Sequence, residues 1–125
     1  GDHRDLHLSL RRQRQMCIRD RIIGLTIWKQ CGCYVVCSDI NPEIVSMAQE
    51  NVEFNQASIQ VKHSNLFENI EEDFDIVTFN PPYVPTKKGI AFNLSKRFQS
   101  QWDGGEDGSS IVKQFLNEFL CQYGI

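Results

Sequence analysis

Asn80, Pro81, Pro82 and Tyr83 follow the apolar run "DFDIVTF" directly, inside the stretch "FNPPYVPT" of residues 79–86. The tandem prolines fix φ and remove two backbone donors, and a residue ahead of proline is pushed out of helical geometry, so Asn80 is held extended in a stiff loop. Its amide oxygen and the Pro81 carbonyl can then point together at one planar NH2 group. The lone pair of such a group is delocalised, and two acceptors help it localise on nitrogen as the nitrogen attacks an electrophilic carbon. Tyr83 supplies a flat wall. None of the four is a strong general base, which suits a reaction in which proton loss follows attack. The plainer alternative is a strand-ending loop, since proline pairs commonly stop strands.

Two further positions carry polar groups where an open α/β sheet binds ligands, beyond the carboxyl ends of its strands. Asp39 closes the run "CYVVCSD". A carboxylate only accepts hydrogen bonds, so it pairs naturally with the two hydroxyl donors of a ribose; the alternative is a helix-capping charge ahead of Pro42. Asn65 lies in "HSNLF". It can bond an adenine amine with Leu66 or Phe67 packed near the ring, or it is an ordinary turn asparagine.

These residues need elements to hold them. "IIGLTIWKQCG" reads as the second half of a helix with Ile23, Ile27 and Trp28 on one face and Gly32 as its stop. The continuous apolar run over residues 33–39 predicts a buried parallel strand. "NPEIVSMAQENVEFN" predicts a helix with Asn41 as N-cap, Pro42 at the first position, and Ile44, Met47, Ala48 and Val52 along one face. Strands follow near residues 58–62 and 74–79, a loop-like stretch from Tyr83 to Gly108, and a helix from Ser109 to Tyr123. The alternating order predicts an α/β fold with an open, mostly parallel sheet.

The opening segment differs from this pattern. Residues 1–21 hold six arginines and three aspartates, a net +3, which leaves −6 on residues 22–125 with their seven Lys and Arg and thirteen Asp and Glu. A basic arm for nucleic acid is one reading. The other is that "MCIRDR" back-translates as ATG TGT ATA AGA GAC AG, a transposase end used in sequencing libraries. Residues 1–21 are therefore expected to be non-native or disordered, and residues 22–125 to be an incomplete domain. The reading frame in the genome tests this: a native codon run through Met16 to Arg21 refutes it.

The 125-residue length bounds the chain to one small domain, and no apolar run approaches the ~20 residues of a membrane span. Cys17, Cys31, Cys33, Cys37 and Cys121 lack the spaced pairs of a zinc site. Cysteines in or beside an apolar run act as small hydrophobes, and reduced thiols suit the cytoplasm.

"CSDINPEIVSMAQENVEFN", "FDIVTFNPPYVPT" and "QWDGGEDGSSIVKQFL" resemble the HemK-type methyltransferases, class I enzymes dependent on S-adenosylmethionine that methylate a glutamine amide of translation termination factors. Asn-Pro-Pro-Tyr is shared with nucleic-acid amino methyltransferases; the Asp-Ile-Asn-Pro and Trp-Asp-Gly-Gly-x-x-Gly motifs narrow the resemblance to HemK-like proteins of the eukaryotic or archaeal branch. It implies a partial Rossmann-like class I methyltransferase fold lacking the first strand and the C-terminal strands. It also implies that Asp39 takes the cofactor's ribose, that Ile40 packs on adenine beside Asn65 and Leu66, and that Asn80 to Tyr83 hold the target amide. Asn65 stands where family members often have Asp. The turn of Gly104, Gly105 and Gly108 would shape the substrate side. The eukaryotic branch works with a small zinc-binding activator subunit, so such a partner is implied here.

No acidic-Gly-x-Gly pattern precedes Ile22, so the chain as written is expected neither to bind cofactor well nor to fold stably, and to be inactive, while its parent is an N-methyltransferase. Two other functions stay open: a nucleic-acid amino methyltransferase with a flipped base on Tyr83, drawing on Lys87, Lys88, Lys96 and Arg97, and a non-catalytic interaction protein. The net −6 over residues 22–125 fits a protein substrate better than a phosphate backbone.

Overall fold

The computed structural model describes residues 14–19 and 21–124, and the chain divides into two compact units at the Phe79–Asn80 bond. The first unit is a sheet with helices. Strand β1 (Arg14–Ile18) leads through helix α1 (Arg21–Cys31) to β2 (Tyr34–Asp39), and α2 (Pro42–Phe54) leads to β3 (Ile59–His63) and then β4 (Ile76–Phe79). All pairings are parallel and the spatial order is β3-β2-β1-β4.

The expectation that the sheet lacks its first strand is corrected here. Arg14–Ile18 lies between β2 and β4, with Cys17 level with Cys37 on one side and Thr78 on the other. Only an extended segment can satisfy the facing backbone groups of both neighbours at once. Met16 and Cys17 are fully buried there. The apolar part of the segment is short and flanked by arginines, which is why composition hid it. Arg14 also anchors the strand's entrance: its N–H donates to Asp75 Oδ2 at 2.8 Å, its carbonyl accepts from the Asp75 N–H at 2.8 Å, and its guanidinium pairs with Glu72. Of residues 1–21, residues 1–13 and 20 lie outside the described residues.

The remaining elements follow the local chemistry that predicts them. Asn41 Oδ1 accepts the Glu43 N–H at 2.9 Å and Pro42 opens α2. Ile44, Ala48 and Val52 are buried along that helix, while Met47, expected on the same face, is 41% exposed. Gly32 ends α1 at φ 65°, a left-handed conformation that costs glycine nothing. Cys17, Cys33, Val35, Cys37, Val52 and Ile59 form a core cluster, with Leu25, Ile27 and Trp28 of α1 packed against it. Burying each large aliphatic side chain contributes about 1.5–3 kcal/mol. The cysteines take part as small apolar groups, and among the described residues no His, Cys, Asp and Glu cluster could hold a metal. Among these residues no helix is long and apolar enough to cross a membrane.

The second unit contains α3 (Thr86–Ala91), a 3-10 turn (Gln99–Gln101) and α4 (Ser110–Tyr123). The stretch expected to be loop therefore holds a helical turn. Pro85 sets its N-cap, and Gly89, normally unfavourable in a helix, is buried under the Trp102 indole.

Candidate active site

β2 delivers Asp39 at its carboxyl end, 4% exposed. Asp39 Oδ1 accepts the Asn41 N–H at 2.9 Å, so one carboxylate oxygen is engaged by the turn that opens α2. The Asp39 carbonyl accepts the Ser64 N–H at 3.0 Å, and His63 Nε2 lies 2.7 Å from the Ile40 carbonyl. A carbonyl can only accept, so that ring nitrogen carries the proton. These two links tie the loop after β2 to the loop after β3. Within the latter, Ser64 Oγ donates to the Leu66 carbonyl at 2.7 Å and accepts the Asn69 N–H at 3.0 Å, which holds Leu66 at φ 53°. The result brings Asp39, Ile40, Asn65 and Leu66 together along the ends of two neighbouring strands. Ile40 is 39% exposed and Leu66 buried.

The strand order reverses between β1 and β4, where open α/β sheets form their ligand crevice. β1 runs there into Arg19, whose φ is 60° and whose N–H donates to the Ser38 carbonyl at 2.8 Å. Burial lowers the pKa of the Arg19 guanidinium, and the Asp39 carboxylate works against that fall. A cation thus lies within reach of the candidate ribose carboxylate. Sequence reasoning missed this pairing; the signal available was that Arg19 follows one apolar run and Asp39 closes the next.

The second unit begins with the Asn80–Tyr83 loop, where Pro82 is buried and Tyr83 72% exposed. A second motif clamps it. The Val84 N–H donates to the Trp102 carbonyl at 2.8 Å, the Gly104 N–H to the Val84 carbonyl at 2.9 Å, and the Thr86 N–H to the Gly105 carbonyl at 2.9 Å. Asp103 gathers the loop through its side chain: Oδ1 accepts the Thr86 hydroxyl at 2.5 Å and the Gly105 N–H at 3.0 Å, and Oδ2 accepts Gln99 Nε2 at 2.7 Å. The hydrogen bonds from Thr86 and Gln99 hold its pKa below the usual carboxylate range, against burial.

The glycines make this packing possible. A Cβ on Gly104 would lie 2.7 Å from the Pro82 carbonyl oxygen, and one on Gly108, at φ 85°, would lie 2.5 Å from that of Tyr83. Both contacts are closer than any side chain tolerates. The glycine turn, expected to shape the substrate side, acts on the prolines themselves by pressing backbone against backbone.

A parallel sheet in this order is an open, doubly wound α/β fold, and its structural likeness places it among the class I methyltransferase folds, those of S-adenosylmethionine-dependent enzymes. The hMettl16 catalytic domain, solved in complex with the MAT2A 3'UTR hairpin 1, superposes with a TM-score of 0.69 over 96% of this chain and 50% of its own, at 19% identity. The chain belongs to the methyltransferase small domain family, whose model matches residues 22–101. Over 97 residues it is 37% identical to a protein of Methanocaldococcus jannaschii named "Putative protein N5-glutamine methyltransferase", covering 78% of this chain and 48% of that one. Over 117 residues it is 29% identical to a release factor glutamine methyltransferase of Chlamydia trachomatis serovar L2, covering 88% of this chain and 40% of the relative. The chain thus spans less than half the length of these two relatives.

Toward S-adenosylmethionine the residues divide. A buried carboxylate beside an exposed isoleucine, with Asn65 and Leu66 alongside, suits an adenosine group. The end of β1 does not suit the rest: a left-handed turn that lets backbone approach a ligand closely is glycine's role, and Arg19 occupies it with a long cationic side chain.

Proposed function

We propose that the native protein transfers a methyl group to the side-chain amide nitrogen of a glutamine in a translation termination factor. The observation that carries this reading is the rigid Asn80–Tyr83 loop, clamped by the turn from Trp102 to Gly108. The names of the archaeal and chlamydial relatives support the choice of a glutamine amide, and the chlamydial name that of a release factor.

S-adenosylmethionine, when bound, supplies an electrophilic methyl carbon. Asp39 would accept from the ribose hydroxyls, Ile40 and Leu66 would pack against the adenine, and Asn65 would bond its amine. Asn80 Oδ1 and the Pro81 carbonyl accept the two amide hydrogens, which localises the nitrogen lone pair; Pro82 fixes the loop and Tyr83 covers the amide plane. Catalysis is then positioning and electrostatics, with orientation alone worth on the order of 7 kcal/mol. A small zinc-binding activator subunit is a partner on this reading, and the free cysteines support a cytoplasmic location.

Residues 1–21 are, on this proposal, non-native in origin, with the codon match in support, although Arg14–Ile18 is built into the sheet; the chain as written is then inactive. The test is methyl transfer by the parent to a glutamine-containing termination-factor peptide. Transfer is expected to fall at least about 100-fold in Asn80→Ala, the scale of losing one preorganised polar contact. Unchanged transfer in that variant, or methylation of an oligonucleotide in place of the peptide, overturns the reading.

A further inference from the structure

Charge is unevenly distributed along the second unit. From Thr86 to Trp102 there are four basic residues, Lys87, Lys88, Lys96 and Arg97, and no acidic one. The rest of residues 22–125 has three basic residues against thirteen acidic, a net −10. The same +4 segment leaves apolar side chains in solvent: Ile90 is 58% exposed, Phe92 75% and Leu94 37%. The apolar Ile90, Leu94 and Trp102 and the polar Asn93, Ser95, Lys96 and Gln99 line a groove of about 440 Å³. Trp102 is held in this lining, because its Nε1 donates to the Ser95 carbonyl at 2.8 Å and the indole covers Gly89.

We infer that this groove docks an acidic segment of the protein substrate that carries an aliphatic or aromatic anchor side chain. The inference rests on the proposed protein-methylating function and adds what the substrate must look like beside its glutamine. Charge complementarity selects the occupant: Lys96 in the lining, with Lys87, Lys88 and Arg97 in the same segment, matches carboxylates, and Ile90, Leu94 and Trp102 take an apolar side chain as a pocket takes an anchor. A polynucleotide fits less well, because its uniform backbone charge would extend past a small basic patch onto a chain that is otherwise strongly acidic. Base stacking also favours open aromatic faces. In the groove lining the one aromatic ring, the Trp102 indole, has a side occupied by Gly89.

The groove is joined to the acceptor loop by backbone. The Trp102 carbonyl that accepts from Val84 belongs to a residue that lines the groove, and α3 starts at Thr86, directly after the loop and its Pro85 cap. A segment seated in the groove therefore lies on the same rigid piece of chain as Asn80 to Tyr83.

Binding is read from Trp102 fluorescence in the 125-residue chain with Trp28→Phe as background. The probes are a peptide alternating Glu and Asp around Leu and Phe, its Lys and Arg counterpart, an acidic peptide without apolar residues, and a single-stranded oligonucleotide of equal charge. The acidic-apolar peptide is expected to bind at least 10-fold tighter than each of the others, and Lys88→Glu with Lys96→Glu to weaken it at least 10-fold, while Lys29→Glu leaves it unchanged. Equal binding of all peptides, tighter binding of the oligonucleotide, or indifference to the double reversal overturns the inference. In the parent, equal kcat/KM for glutamine peptides with acidic and basic flanks defeats the docking surface and leaves the function standing. Docking without methylation of any glutamine peptide defeats the function and leaves the surface standing.

Discussion

Asp103 shows how much one carboxylate can organise. It accepts from a hydroxyl, an amide side chain and a backbone N–H, and its pKa is lowered chiefly by the Thr86 and Gln99 hydrogen bonds. A depressed pKa means the clamp's contribution is fully present above the unfolded value near 4 and is lost as pH falls through the lower folded value. Trp102 fluorescence is accordingly expected to stay constant from neutral pH to about 4 and to change only below it; a transition near pH 6 contradicts this. Asp103→Asn keeps the shape but weakens the charge-assisted bonds, so it is expected to cost about 1–3 kcal/mol in urea unfolding of this unit. Asp39 is a different case. Asp39→Ala in the parent is expected to weaken cofactor binding at least about 10-fold, since a charged hydrogen-bond partner is worth about 1.5–3 kcal/mol. Calorimetric titration with S-adenosylmethionine measures it, and unchanged affinity removes Asp39 from the site.

At the scale of elements, Gly24 in α1 is the sharpest test of helix-on-sheet packing. An added Cβ would lie 2.3 Å from Cys37 Sγ and 3.6 Å from Val35 Cγ1. Replacing a helix glycine by alanine ordinarily stabilises by about 0.5–1 kcal/mol. Gly24→Ala is expected to do the opposite and destabilise by about 1–3 kcal/mol through overpacking, read as a lower midpoint in thermal or urea unfolding; a rise in midpoint shows that α1 can lift from the sheet without cost. The elements also show what a sequence carries in plain view. The Asn41–Pro42 cap, the Gly32 stop and the continuous run into Asp39 are local chemistry, and they were legible residue by residue. β1 and the Asp103 clamp were not. The strand is defined by two partners elsewhere in the chain, and the clamp by contacts between Thr86 and Asp103 that no spacing announces. Likewise α3 was hidden because Gly89 argues against a helix until Trp102 is known to lie on it.

At the scale of the whole molecule, Asp39, Ile40, Asn65 and Leu66 belong to the sheet unit and the Asn80–Tyr83 loop opens the other, so on the proposed function cofactor and substrate chemistry would fall to separate compact parts of one chain. Arg19 puts a long cationic side chain in the left-handed turn after β1, where a close approach of backbone to a ligand favours glycine. Calorimetry on the chain as written is expected to show no micromolar binding of S-adenosylmethionine, and micromolar binding refutes that. The distribution of thiols offers another view of the same molecule. Cys121 is exposed, whereas Cys17, Cys33 and Cys37 are buried, and burial together with the neighbouring Cys31 raises the Cys33 pKa. A buried, protonated thiol reacts slowly with alkylating reagents. Intact mass after a brief pulse of iodoacetamide would therefore count the molecules whose sheet has opened, making the chain its own clock for unfolding, with Cys121 as the internal reference.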